Sequence, residues 1–164
     1  MKISLVQVAS PADEPVAVRV ERVGAMVMSA AGSDLVVLPE LWAPGYFAFD
    51  RYAERAETLE GLTVTSGRRW ARVLDCHLAP PAARLEHLRL FTTARAVEQQ
   101  VLLVACNAAG NQNGTALAGH SRVVDPWGQV LVEADAGEGV ASCEVDPAVV
   151  ATVRVEFRPW PTGG

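Results

Sequence analysis

Residues 34–46 read Asp34-Leu35-Val36-Val37-Leu38-Pro39-Glu40-Leu41-Trp42-Ala43-Pro44-Gly45-Tyr46. Leu35 to Leu38 is an unbroken apolar run, as suits a short strand buried on both faces. Pro39 ends it. Glu40 is therefore delivered at the carboxyl end of a buried strand, where open α/β sheets collect their ligands. Trp42, Pro44, Gly45 and Tyr46 follow as a stiff aromatic loop. Glu40 is either a working carboxylate or a solvated residue at a strand end. The choice turns on whether the chain supplies its chemical partners.

Upstream, Lys2 to Ala9 alternates enough for a strand and is apolar enough to be central. Asp13 is placed to cap a helix with Pro15 near its first turn. Val16, Val20, Val23, Val27 and Ala30 then form one apolar stripe, opposite a polar face carrying Arg19, Glu21 and Arg22. Gly32 stops that helix. The strand, helix, strand order predicts two parallel strands in one sheet.

Downstream, Arg51 to Glu57 is weakly helical, and a second helix is expected from about Thr63 to Leu74, capped by Thr63. Asp75-Cys76-His77-Leu78-Ala79-Pro80-Pro81 is a connector, with no room for a strand beyond Cys76 to Ala79. A third helix follows from about Ala82 to Gln100, with Leu85, Leu88, Phe91, Ala94 and Val97 directed inward. The last third reads as sheet. Val101 to Ala108 is a buried strand, Asn113-Gly114 a turn, and His120 to Val124 another strand. Asp125-Pro126-Trp127-Gly128 suits a type I turn, so Val130 to Glu133 should return antiparallel. Val140 to Val145 completes the set, and Pro147 opens a short helical or irregular tail.

The 164 residues are most simply a single domain, half hydrophobic and one fifth charged. No apolar run approaches the length of a membrane span. The first residues enter a strand pattern without the regions of a signal peptide, which predicts a cytoplasmic protein. A net charge of -5 without a basic cluster argues against nucleic acid or an anionic membrane as partner. Cys76, Cys106 and Cys143 form no CxxC pair, as expected of reduced thiols. Lys2 is the sole lysine, which leaves thirteen arginines.

The first strand and helix, Leu38-Pro39-Glu40-Leu41 and Gly45-Tyr46 resemble the opening of the nitrilase superfamily, the carbon-nitrogen hydrolases. Pro81-Ala82-Ala83-Arg84-Leu85-Glu86-His87, Ala94-Arg95-Ala96-Val97-Glu98-Gln99-Gln100, Ala105-Cys106-Asn107 and Gly119 to Gly128 resemble its closing third. Together these cover nearly the whole chain, in the family's order. The resemblance implies an α/β fold, a nitrilase-like α-β-β-α sandwich, here one shortened domain over residues 1–164. It implies Glu40 as general base, a small linear amide as substrate, no cofactor, and helix-mediated homo-oligomers. The family's middle section is missing. It carries several strands, the lysine that stabilises the oxyanion, a supporting glutamate and the nucleophilic cysteine, so the sandwich is expected to be incomplete, with central strands absent.

Hydrolysis of that kind needs a thiolate, a base and a cation at the developing oxyanion. Lys2 begins the first strand and is no interior lysine. The Cys76 neighbourhood, Cys-His-Leu-Ala-Pro-Pro, departs from the family's Cys-Tyr-Asp-Leu-Arg-Phe-Pro-Glu pattern. Cys76 and His77 are adjacent, and in an extended segment they point to opposite sides. Cys106 and Cys143 lie in apolar strand patterns, as small core residues do. His87 reads as a surface or subunit-contact residue, and His120 as a hydrogen-bonding partner of a nearby loop. Cys76, His77 and His87 lack the spacing of a zinc site, and no metal is expected. Two readings follow: an amide hydrolase with impaired activity, or an inactive remnant that serves as an oligomerising or partner-binding scaffold. Loss of middle strands should expose sheet edges and apolar helix faces and favour self-association.

Overall fold

In the computed structural model, β1 (Lys2–Gln7) turns alternate residues to opposite layers. Ile3 and Leu5 face a second sheet, while Val6 and Val8 pack with Val23, Val27 and Ala30 of the first helical segment. The structure describes residues 1–70, 73–76 and 80–157, with backbone alone for 68–70 and 73–76.

Helix α1 (Val16–Ser29) joins β1 to β2 (Leu35–Pro39), and the two strands pair in parallel with Ile3 opposite Leu35 and Leu5 opposite Val37. The stripe Val20, Val23, Val27 lies on this sheet as expected. Two expectations for α1 are corrected. Its N-cap is Pro15, with no side-chain capping bond from Asp13. Arg19, assigned to the polar face, is fully buried. A guanidinium is tolerated there because five backbone and carboxylate acceptors surround it.

After β2 the chain makes a 3-10 turn at Phe49–Arg51, the short helix α2 (Tyr52–Arg55) and α3 (Leu62–Trp70). The expected helix from Thr63 to Leu74 is thus shorter. Val73–Cys76 forms β3, parallel to β2, where the sequence pattern predicts helix as far as Leu74 and leaves room for a strand only from Cys76 to Ala79. Sheet pairing with Val36 to Pro39 overrides the helical pattern of the preceding residues. His77 and the rest of 77–79 lie outside the described residues. A 3-10 turn at Ala82–Arg84 leads into α4 (Leu85–Gln99), closed by Gln100 at φ 50°. Its buried residues are Leu88, Thr92 and Ala96, whereas Phe91 and Val97, expected inward, are exposed. A stripe at spacing four, with a threonine inside it, seats this helix instead of the bulkier residues beside it.

The remaining strands are β4 (Leu103–Ala105), β5 (Asn111–Gln112), β6 (Thr115–Ala116), β7 (Arg122–Val124), β8 (Val130–Glu133) and β9 (Gly139–Glu144), followed by α5 (Ala148–Glu156). Asn113 and Gly114 both take positive φ and close the β5–β6 hairpin. Gly128 N–H donates to Asp125 O at 2.9 Å, closing the turn that returns β8 antiparallel to β7. Beside the β5–β6 hairpin, one sheet runs β3-β2-β1-β9 and a second β4-β7-β8. Ile3, Leu5, Val37, Cys106, Val123 and Val145 fill the space between them. With α1 on the first sheet, α3 against α1, and α4 on the second sheet, this is an α-β-β-α sandwich with a reduced strand count.

On the α4 side, Glu133 accepts from Arg89 at 2.6 Å and lies 3.2 Å from His120 Nδ1. Burial works against its carboxylate, but the Arg89 bonds and the charge of Arg122 hold its pKa below the ordinary value. Arg122, 4% exposed, sits 3.4 Å from Glu133 through Nε, without hydrogen-bond geometry, and among the described residues Nη1 has no hydrogen-bond partner. Such a buried cation is a net cost when its donors stay empty. Arg122→Met is expected to leave thermal stability unchanged or to raise it by about 1 kcal/mol, read from melting followed by circular dichroism. A loss of about 2 kcal/mol or more would mean that Arg122 is properly solvated or paired.

Candidate active site

Glu40 stands directly after β2, half-buried, and Leu41 behind it adopts φ 50°. That left-handed residue ends the strand abruptly and starts a compact turn, in which Gly45 N–H donates to Leu41 O at 2.8 Å. Gly45 itself lies at φ 89°, a conformation that a side chain rarely adopts. Within this turn, Ser10 Oγ donates to Trp42 O at 2.8 Å, Arg19 Nη1 to Ala43 O at 2.7 Å, and Arg55 Nη1 to Pro44 O. Three successive carbonyls behind Glu40 are therefore held by side chains from outside the turn.

The aromatic continuation docks elsewhere. Phe47 N–H donates to Gln112 Oε1 at 3.1 Å, and Asn113 Nδ2 donates to Phe47 O. Tyr46 and Phe47 pack against Ala108 and Leu117, with their rings edge-to-face at 4.9 Å. Tyr52 donates its hydroxyl to Tyr46 O. Burial, then the neighbouring Tyr46 and Glu40, push the Tyr52 phenol above its ordinary pKa, so Tyr52 stays a protonated donor at the edge of the site.

The other residues singled out from sequence are dispersed. Lys2 pairs with the level of Asp34, as its N–H bonds Asp34 Oδ2 at 2.8 Å. The five residues of β2 then separate it from Glu40, six steps or about 20 Å at the usual rise. Cys143 is opposite Ile3, near that same distant end, and burial raises its thiol pKa. Cys106 is buried between the sheets, with Sγ 3.5 Å from Val6 O. Cys76 has its backbone in register with Pro39, beside the residue that precedes Glu40; its side chain, like His77, lies outside what is described. His87 is exposed and stacks on Phe91, and His120 bonds Glu133 rather than approaching Glu40. Among the described residues no three His, Cys, Asp or Glu side chains gather as metal ligands.

The residue that sequence reasoning missed is Arg19. Its Nε donates to Glu14 Oε2 at 2.9 Å and its Nη2 to Pro11 O at 2.6 Å. Glu14 also accepts from Arg22 at 2.8 Å, and Arg22 reaches Glu138 and, at 2.9 Å, Ala9 O. A periodicity reading counts arginine as a surface residue; the only available signal was the cluster of Pro11, Asp13 and Glu14 in front of the helix. Because Nη1 and Nη2 are committed to carbonyls, Arg19 cannot stand in for a cation at an oxyanion.

The profile of the carbon-nitrogen hydrolase family matches residues 2–86 and again 76–155. A 2-oxoglutaramate amidase of Bacillus subtilis is 40% identical over 84 residues, 51% of this chain and 32% of that protein. An omega-amidase of Saccharomyces cerevisiae is 41% identical over 69 residues, 42% of this chain and 24% of that protein. Each match thus spans a third or less of the relative's length. A CN-hydrolase superfamily protein from Xanthomonas campestris superimposes with a TM-score of 0.82 at 22% identity, over 96% of this chain and 94% of that one.

The Arg22 bond, ahead of the opposing cost of burial, leads the effects on Glu14, whose folded pKa lies below its ordinary 4.5. A depressed carboxyl contributes stability that is complete above the unfolded pKa and is lost as pH falls through the folded one. Melting temperature is therefore expected to hold near neutrality and to fall below pH 4.5. Glu14→Gln, which strips buried Arg19 of its counter-ion, should cost about 3 kcal/mol at pH 7 and flatten part of the acid decline. An unchanged acid profile in the variant would remove Glu14 from this role.

Proposed function

Since the chain belongs to the carbon-nitrogen hydrolase family, we propose that it keeps the Glu40 half of a site for a small linear amide while its hydrolytic step is impaired. The observation that supports this reading is the separation of Lys2 from Glu40 by the length of a strand. A base without a cation at the oxyanion lacks the largest electrostatic contribution to acyl transfer, on the order of 3–4 kcal/mol for one donor. Two overlapping matches to one family profile, sharing residues 76–86, support an internal loss of the family's middle section. Glu40 is the proposed base, and the relatives' names direct the substrate search to omega-amides such as 2-oxoglutaramate. No cofactor enters this scheme.

Self-association is a second reading, favoured by α4. Leu90 and Phe91 are 62% and 58% exposed, and a groove of about 440 Å³ runs beside Phe91, His87 and Pro81. Monomeric proteins keep such apolar surface small, and β3 is an edge of its sheet among the described residues. Sizing chromatography is expected to give a dimer or larger species that Phe91→Glu shifts toward monomer; a monomeric wild-type protein would end this reading.

The hydrolytic reading is checked by ammonia release from 2-oxoglutaramate and simple linear amides. The purified protein is expected to release no more than Glu40→Gln does. Turnover that disappears in Glu40→Gln would show a working hydrolase and overturn the impairment.

A further inference from the structure

Arg19 donates from all three guanidinium nitrogens, and its acceptors belong to two segments that are distant in sequence. One is the approach to α1, through Pro11 O and Glu14; the other is the turn behind Glu40, through Ala43 O at 2.7 Å and Trp42 O at 3.4 Å. Ser10, Arg55 and the packing of Trp42 on the core hold the same turn, but Arg19 alone of these ties it to the approach to α1 through Pro11 O and Glu14. Leu41 and Gly45 hold left-handed backbone conformations, and the Gly45-to-Leu41 bond spans a single loop. A β carbon added at Gly45 would stand 3.6 Å from Arg19 Nη1 and 3.9 Å from Arg55 Nη1, so the two guanidiniums line the inside of the turn. Ala43 is buried with Arg19.

We infer that Arg19 is a positioning residue for Glu40: its planar fork, anchored by Glu14, fixes the Trp42 and Ala43 carbonyls and thereby the direction in which Glu40 leaves β2. This rests on the reading of Glu40 as the working carboxylate. The fork matters as well as the charge. Lysine supplies three donors from one point and cannot span Glu14 Oε2, Ala43 O and Pro11 O together. Arg55, bonded to Pro44 O and, at 3.4 Å, to Ala12 O, supports the same turn from its exposed side. Of the two arginines, Arg19 is the one wholly inside the protein.

The test compares wild type, Arg19→Lys and Arg19→Met by amide hydrogen exchange, with melting measured alongside. If Arg19 positions the turn, exchange at Gly45 accelerates at least about tenfold in Arg19→Lys, relative to Leu5 in the β1–β9 ladder of the same sample. A purely structural role would accelerate both amides together, and charge alone would let lysine restore the wild-type ratio. Either of those results overturns the proposal. If Arg19→Met fails to fold, the lysine variant still decides. Saturation-transfer NMR with 2-oxoglutaramate forms a separate arm. Binding that Glu40→Gln abolishes supports Glu40 as the working group, and Arg19→Lys should then weaken it by about tenfold. Absence of wild-type binding removes the Glu40 reading and with it the functional half of this inference, leaving the exchange ratio to report on the turn alone.

Discussion

The parallel pairing of β1 with β2 constrains everything else. Parallel strands share a polarity, so their amino ends gather at one edge of the sandwich and their carboxyl ends at the other. The register of Ile3 with Leu35 puts Lys2 at the first edge and Glu40 at the second. No side-chain rotation spans that gap. Slipping β1 by one residue would turn Ile3 and Leu5 out of the inter-sheet core. The apolar packing that stabilises the fold is thus the same constraint that keeps the sole lysine away from Glu40.

At the carboxyl edge, polar groups add to apolar packing. The turn behind Glu40 seats Trp42 on the α1 side of the core and Tyr46 and Phe47 on Ala108 and Leu117, and its left-handed residues Leu41 and Gly45 leave backbone carbonyls for side chains to fill. Its carbonyls are satisfied by Ser10, Arg19 and Arg55, and burial of Arg19 is made tolerable by Glu14. The cost of desolvating a guanidinium is offset only when its donors are filled. Arg122, on the other face, is the contrasting case, with one long ion contact and, among the described residues, no hydrogen-bond partner for Nε or Nη1. Arg19 ties two segments together, whereas Arg122 makes no such link.

Much of this was legible in the sequence where burial and periodicity agree. The strand ending at Pro39, the α1 stripe, the Asn113-Gly114 and Asp125 to Gly128 turns and the parallel first unit all follow from local pattern. The failures have specific causes. Arg19 carries a surface residue's chemistry in a core position, and no periodic rule accommodates that. Val73–Cys76 became a strand because β2 offered a parallel edge, a tertiary effect invisible in four residues. Phe91 and Val97 face outward because Leu88, Thr92 and Ala96 seat α4 on its sheet. Of the site, Glu40 and its aromatic loop could be read in advance, while the clamp around them could not, since it joins residues 11 to 55 through side chains.

One thiol has its backbone beside this edge. Cys76 is opposite Pro39, so the claim that the hydrolytic trio is not assembled meets its sharpest challenge there. Attack by that sulfur on an amide carbon would form a thioester and expel ammonia, leaving an acyl group on the protein. Peptide-level mass spectrometry after rapid mixing with 2-oxoglutaramate and acid quenching looks for that product directly. The account predicts an unmodified Cys76 peptide at every mixing time; an acyl adduct on Cys76 that is absent from Glu40→Gln would contradict it.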